Sequence, residues 1–232
     1  QPRGKQRWKA ENFGCWYVQT TGIWKTVWME EVPDTYLERV KLTPDIDEEK
    51  VRIEVKLNHR PEQKVSLNCE IRLDENEIAV HTVDIRSEYA RFDIKVSNPE
   101  EPWGMVLWSP ENPKLYDMTL RLASESGEDE ARSYFGMREI SIQDGKVLLN
   151  HVPLYQRLIL DQGYWEESHL TPPSEEALIK EIDLIMAAGY NGLRKHEKTE
   201  DEIKGMCAGS ENYGNFFAQN CFMGSSGTLL IV

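Results

Sequence analysis

The sequence lacks any apolar run near the ~20 residues that a bilayer-spanning helix needs. It opens on Gln1-Pro2-Arg3-Gly4-Lys5, without an initiator methionine or the apolar core of a signal peptide. The chain therefore reads as beginning inside a longer protein, with its original targeting illegible. Basic residues are few: 27 against 40 acidic ones, a formal charge of −13 that repels phosphate backbones and anionic lipid surfaces. Nucleic acid and membranes are poor partners for such a field. Cysteine is also scarce. The four residues, at 15, 69, 207 and 221, form no Cys-x-x-Cys pair and have no histidine at zinc-ligand spacing, so neither a metal nor another cofactor is expected. Cys69 falls on the apolar side of an alternating run and reads as a small buried hydrophobe. A reducing, cytoplasmic compartment is the expectation.

What is present is a chain of 232 residues with 40% hydrophobic residues, enough for one large or two medium domains with a real core. From about Tyr36 to Arg138 apolar and polar residues alternate. Val51, Ile53, Val55 and Leu57 are interleaved with Arg52, Glu54 and Lys56; Leu67, Cys69, Ile71 and Leu73 with Asn68, Glu70 and Arg72; Tyr116, Met118, Leu120 and Leu122 with Asp117, Thr119 and Arg121. Further runs lie near 37–43, 78–85, 89–97 and 132–138, with turn signals at Asn58-His59-Arg60-Pro61 and Asp74-Glu75-Asn76. About seven short strands of this kind predict an immunoglobulin-like β-sandwich.

After the sandwich the period changes. Val147-Leu148-Leu149 and Leu158-Ile159-Leu160 predict short strands. Pro172-Pro173-Ser174-Glu175-Glu176 then starts a helix, with a serine cap and two acids at the positive end of the dipole. Leu178, Ile182, Ile185 and Met186 form its apolar stripe and Gly189 ends it; Tyr190-Asn191-Gly192-Leu193-Arg194 predicts the next strand. Strand, helix, strand is one βα repeat and the start of another. Before the sandwich, Trp16–Glu30 is dense in aromatic and β-branched residues around Gly22, as in strands flanking a loop. Its three tryptophans suit either core packing, the commoner fate of strand aromatics, or a sugar-stacking platform.

Three stretches carry a family resemblance. Thr20-Thr21-Gly22-Ile23-Trp24-Lys25-Thr26-Val27-Trp28, Trp108-Ser109-Pro110-Glu111-Asn112-Pro113-Lys114-Leu115-Tyr116, and Tyr134-Phe135-Gly136-Met137-Arg138 through Leu160-Asp161-Gln162-Gly163-Tyr164-Trp165 to Asn191-Gly192-Leu193-Arg194-Lys195-His196 occur in that order. Together they resemble glycoside hydrolase family 2, the β-galactosidase and β-glucuronidase family. The resemblance implies that residues 1–35 are the end of a jelly-roll sugar-binding domain, 36–138 the immunoglobulin-like sandwich, and 139–198 the first βα units of a (β/α)₈ catalytic barrel. The fold class expected is mainly β, the sandwich followed by an incomplete barrel start. From Thr199 the likeness fades into a divergent tail, read as a frame-shifted or mis-spliced end, whose last residues suit a short strand.

The implied activity is hydrolysis of O-glycosidic bonds in carbohydrate metabolism by a retaining mechanism, which uses two carboxyl groups about 5–5.5 Å apart. In the family these are glutamates on the fourth and seventh barrel strands, and this chain reaches only the second, so no catalytic glutamate is assigned and the chain alone is expected to be inactive. Asn76-Glu77 matches the family's Asn-Glu acid/base motif in letters only, because it falls in a sandwich turn. Four substrate-binding positions carry over: Asp161 and Trp165 past the first barrel strand, and Arg194 and His196 at the end of the second. An aspartate accepts hydrogen bonds from sugar hydroxyls, an indole offers a stacking face, and a planar guanidinium orients a catalytic carboxylate. Strand alternation puts Arg194 and His196 on one side. The expected partner is a carbohydrate substrate, with an oligomer possible in the intact enzyme. A non-catalytic carbohydrate-binding or scaffolding β-sandwich is the rival from another class.

Overall fold

The computed structural model describes residues 5–24, 27–97 and 104–196 in full, and 217–221 and 230–231 as backbone strands. The chain divides into two compact units, residues 29–154 and residues 1–28 with 155–232.

The first of these is built on seven antiparallel strands: β1 (Leu37–Asp45), β2 (Lys50–Leu57), β3 (Val65–Leu73), β4 (Asn76–Ile85), β5 (Tyr89–Lys95), β6 (Tyr116–Ser124) and β7 (Gly127–Phe135). They form two sheets, ordered β1-β2-β5 and β4-β3-β6-β7. This is the expected sandwich, and its register follows the alternation. Val51, Ile53, Val55 and Leu57 of β2 point inward, as do Leu67, Cys69 and Ile71 of β3 and Tyr116, Met118, Leu120 and Leu122 of β6; none is more than 2% exposed. Each such side chain contributes roughly 1.5–3 kcal/mol by leaving water, and a one-residue slip would turn them all outward. The expected turn at 74–76 is a two-residue hairpin, with Asp74 at φ 52° and Leu73 facing Asn76. Asn76 and Glu77 therefore begin β4 as exposed residues on its first turn of pairing. The last strand starts earlier than the apolar run near 132, because Gly127 (φ 131°) closes a hairpin with Ser124 and the polar residues up to Arg132 pair with β6.

Two side-chain links join the chain entering β1 to the β6–β7 hairpin. Asp129 Oδ2 accepts the N–H of Leu37 (2.8 Å), and Ser126 Oγ accepts that of Thr35 (3.2 Å). The proline-containing loop before β6 is not a ladder strand. Ser109 and Asn112 exchange two backbone hydrogen bonds of 3.0 Å, Trp108 N–H donates to the Met137 carbonyl (2.9 Å), and Tyr116 Oη accepts the N–H of Val106 (2.8 Å). The indole of Trp108 is buried, with the Arg138 guanidinium 4.4 Å from its ring centroid. Burial pulls that guanidinium below its ordinary pKa. A three-stranded antiparallel meander completes the unit: β8 (Ile140–Gln143), β9 (Lys146–Leu149) and β10 (Val152–Pro153).

The second unit holds β11 (Leu158–Asp161), α1 (Glu175–Ala187), β12 (Gly192–His196), β13 (Phe217–Cys221) and β14 (Leu230–Ile231). The sheet runs β11-β12-β13-β14, with the first three strands parallel and β14 antiparallel. The helix begins as its sequence dictates: Ser174 Oγ accepts the N–H of Ala177 (3.2 Å), and Glu175 and Glu176 occupy the first turn. Gly189, at φ 87°, ends it. Leu178 and Ile182 pack on Leu193 of β12, with Ile159, Trp165, Ile185 and Met186 around them. In Trp16–Glu30 the expected strands are not seen among the described residues. Among the described residues that region takes part in two isolated bridges, Phe13 with Trp16 and Gln6 with Val18. Instead Trp8, Phe13 and Trp16 pack on one another, with ring centroids 4.8–5.2 Å apart. No helix among the described residues is long and apolar enough to cross a membrane. Most of the tail, 199–232, lies outside the described residues.

Candidate functional site

The four sequence-predicted residues all belong to the second unit, three at the ends of its first two parallel strands and Trp165 in the loop after β11, and the structure sorts the strand residues onto two faces of the sheet. Asp161 lies in register with Lys195, two residues along from the pair Ile159 and Leu193 that packs on α1. Pleating therefore puts Asp161 and Lys195 on the helix-covered face and Arg194 and His196 on the other.

On the helix side, Lys195 Nζ donates to Asp161 Oδ2, and Glu181 Oε2 of α1 lies 3.8 Å from the same ammonium. The other oxygen of Asp161 accepts the N–H of Gly163 at 2.6 Å. The side chains of Lys195 and Asp161 are 2% and 9% exposed, so this ion pair lies almost wholly out of water. Beside it a cleft of about 540 Å³ opens between β11 and α1, lined by Asp161, Gln162, Trp165, Lys180 and Leu184 among others. Trp165 packs against the helix cluster, and its buried Nε1 has no hydrogen-bond partner among the described residues.

On the opposite face His196 is 9% exposed and its Nδ1 lies 3.1 Å from Nζ of Lys5, a side chain that is itself fully buried. An ammonium only donates, so in this contact Nδ1 is the acceptor. Lys5 also donates to Gln162 Oε1 and to the Cys15 carbonyl (3.3 Å). The Tyr164 ring lies 5.2 Å from the same ammonium, and its hydroxyl is shared between the carbonyls of Lys5 and Cys15, 2.7 and 3.1 Å away. Arg194 is half-buried on this face, in register with Leu160 of β11 and Gln219 of β13.

Asp161 and Trp165 thus share one cleft, and Arg194 and His196 one face. Sequence reasoning did not single out Lys195, Glu181, Lys5, Gln162 or Tyr164. Lys195 had a signal: it alternates with Leu193 on a face that must meet the helix, and a lysine there needs a carboxylate. Lys5 had none, being one of four basic residues between positions 3 and 9 and 191 positions from the histidine it meets.

Residues 35–138 match the sequence profile of the glycosyl hydrolases family 2, and residues 184–232 match that of a protein of unknown function (DUF969). A β-galactosidase of Lactococcus lactis subsp. lactis is 30% identical over 178 residues, covering 75% of this chain and 16% of the relative. One from Klebsiella pneumoniae is 28% identical over 212 residues, covering 81% of this chain and 19% of the relative. The chain therefore spans less than a fifth of the length of these curated relatives. Among solved structures, a GH2 β-galacturonidase from Eisenbergiella tayi bound to galacturonate superposes with a TM-score of 0.63 at 22% identity, over 82% of this chain and 34% of the other. A β-glucuronidase of Parabacteroides merdae gives 0.62 at 17%, over 81% and 23%; at these identities the likeness is one of fold. Profile, relatives and sandwich agree, and the chain is glycoside hydrolase family 2-like.

Proposed function

We propose that this chain is part of a retaining glycosidase that hydrolyses O-glycosidic bonds in substrates of the β-galactoside and β-glucuronide type. The observation that carries the reading is the family 2 sandwich at 35–138, followed in sequence by a parallel β11-α1-β12 unit with polar residues gathered at its strand ends. In this reading 1–35 ends a sugar-binding jelly roll, 139–198 opens the catalytic barrel, and 199–232 is a divergent tail. The two glutamates that perform acid/base and nucleophilic catalysis belong to later barrel strands of the whole enzyme.

Arg194 then holds a catalytic carboxylate ionised and oriented, because its fork of donors matches both carboxylate oxygens. His196, accepting from Lys5 on Nδ1, turns Nε2 toward a substrate or carboxylate oxygen as the donor. Asp161 uses one acceptor site on each oxygen for Gly163 and Lys195, leaving the others for a sugar hydroxyl, and Trp165 gives the adjoining cleft an apolar wall. A cytoplasmic location and oligomeric assembly belong to the same proposal.

The test is turnover of aryl β-galactosides and β-glucuronides by the 232-residue chain and by a version extended through the coding sequence downstream of codon 198. No turnover by the chain alone and clear turnover by the extended protein is the expected pair of results. Oligosaccharide binding without hydrolysis by the extended protein would favour a non-catalytic binding or scaffolding module instead.

A further inference from the structure

The meander and the β1–β2 turn of the sandwich unit bring together three metal-binding side chains that sequence spacing keeps apart. Asp47 lies in the turn between β1 and β2, Glu139 just before β8, and His151 in the turn between β9 and β10. One ligand atom from each lies within 4.8 Å of the other two, and His151 Nε2 is 3.0 Å from Asp47 Oδ1. We propose that Asp47, Glu139 and His151 form a binding site for a zinc-type divalent transition metal.

The dimensions fit. Zinc bonds of about 2.0–2.2 Å in tetrahedral geometry put neighbouring ligand atoms roughly 3.3 Å apart. The imidazole and the Asp47 carboxylate are already near that separation, and the flexible Glu139 side chain, whose ligand atom lies within 4.8 Å of both, needs to close by at most roughly 1.5 Å. The donor set of one imidazole and two carboxylates selects against magnesium, which demands oxygen ligands in octahedral order. Asp47 and His151 are exposed, so solvent supplies the fourth ligand.

The ligands are held from behind. Asn150 donates its N–H to the Glu139 carbonyl (2.9 Å) and accepts the Glu139 N–H on Oδ1 (3.0 Å), and its amide nitrogen reaches the Trp108 carbonyl (2.9 Å). The residue preceding the histidine therefore fixes the backbone of the glutamate. Asp47 follows Ile46, which is buried in the sandwich core. Asn150 and His151 occupy the two central positions of a tight hairpin turn, with φ of 49° and 65°, where the second position favours glycine. This gives a clean variant: His151→Gly removes the imidazole and relaxes the turn.

The experiment is titration of the 232-residue chain with ZnCl₂ and, separately, MgCl₂, read by calorimetry and by thermal unfolding. Wild type should bind one zinc at this site, and zinc at about 100 times its Kd should raise the melting temperature by roughly 5 °C or more. His151→Gly should melt no lower than wild type without metal and lose the zinc-induced rise. Glu139→Gln, which keeps the backbone clamp, should weaken zinc at least about tenfold, the loss of one charged ligand. Zinc affinity unchanged in both variants, absence of zinc binding by the wild type, or magnesium bound as tightly as zinc would each overturn the proposal, leaving a solvent-exposed hydrogen bond between His151 and Asp47.

Discussion

Lys195 and Asp161 face each other in register across β12 and β11 and close an ion pair almost wholly out of water, with Glu181 of α1 as a second counter-charge. Removing one partner of such a pair leaves the other charge buried. Lys195→Met should therefore cost about 3 kcal/mol in the second unit, while adding Asp161→Asn should recover a large part of the loss. Native-state hydrogen exchange at the Leu193 and Arg194 amides reads this directly. Exchange as slow in Lys195→Met as in wild type would show that the pair contributes nothing.

Cys69 sits on the inner face of β3, fully buried, and burial pushes its thiol from its ordinary 9.0 up to about 12. Because the folded pKa is the higher one, the neutral thiol favours the folded state. Its contribution is intact below pH 9 and lost as pH rises from 9 toward 12, at a limiting slope of about 1.4 kcal/mol per pH unit. Wild type should lose stability in urea faster than Cys69→Ala across that window. In the native protein at pH 8, a thiol reagent should modify the half-buried Cys15 long before Cys69.

Gly136 follows β7 where the chain passes the Trp108 indole. A Cβ there would lie 3.0 Å from the Trp108 Cβ and 3.1 Å from its Cγ, atoms close to the backbone that cannot swing aside. Gly136→Ala should destabilise the sandwich by about 1–3 kcal/mol, the ordinary cost of overpacking. Denaturant midpoints of the two proteins measure this, and an unchanged midpoint would mean that the loop carrying Trp108 yields freely.

Arg194 lies half-buried on the sheet face opposite α1. In the extended, active protein Arg194→Ala should lower turnover by two or more orders of magnitude with little change in melting temperature, since it would remove a charge-assisted contact and not core packing. Arg194→Lys should not restore it, because a point charge lacks the planar fork. Near-normal turnover in either variant would return Arg194 to an ordinary strand-end residue.

The sandwich was legible because a period-two pattern and a buried face express the same physics: Val51 to Leu57 and Tyr116 to Leu122 alternate in sequence because they alternate between core and water. The helix was legible from Ser174 to Gly189 because its signals are local. The aromatic stretch after Trp16 misled because β-propensity describes how a side chain fits a pleated surface and does not itself supply a ladder. Site geometry was the least legible part. Alternation put Arg194 and His196 together, yet which face each pair met depended on where α1 packed, and the Lys5–His196 contact joins positions that no local pattern relates.

The β1–β7 corner of the sandwich is joined by the side chains of Asp129 and Ser126, so both strands keep an outer edge unpaired by backbone among the described residues. Such an edge templates fibre growth unless something repels an incoming strand. On β7 that guard is Glu128, Asp129 and Glu130 in succession. Arg132 and Arg121 donate to Glu130 and hold its carboxyl below the usual range, so Glu130 stays charged into acid where ordinary carboxylates protonate. Through Glu130 the edge of β7 thereby keeps a charge at acidities where a chain of net charge −13 approaches neutrality and begins to stick to itself.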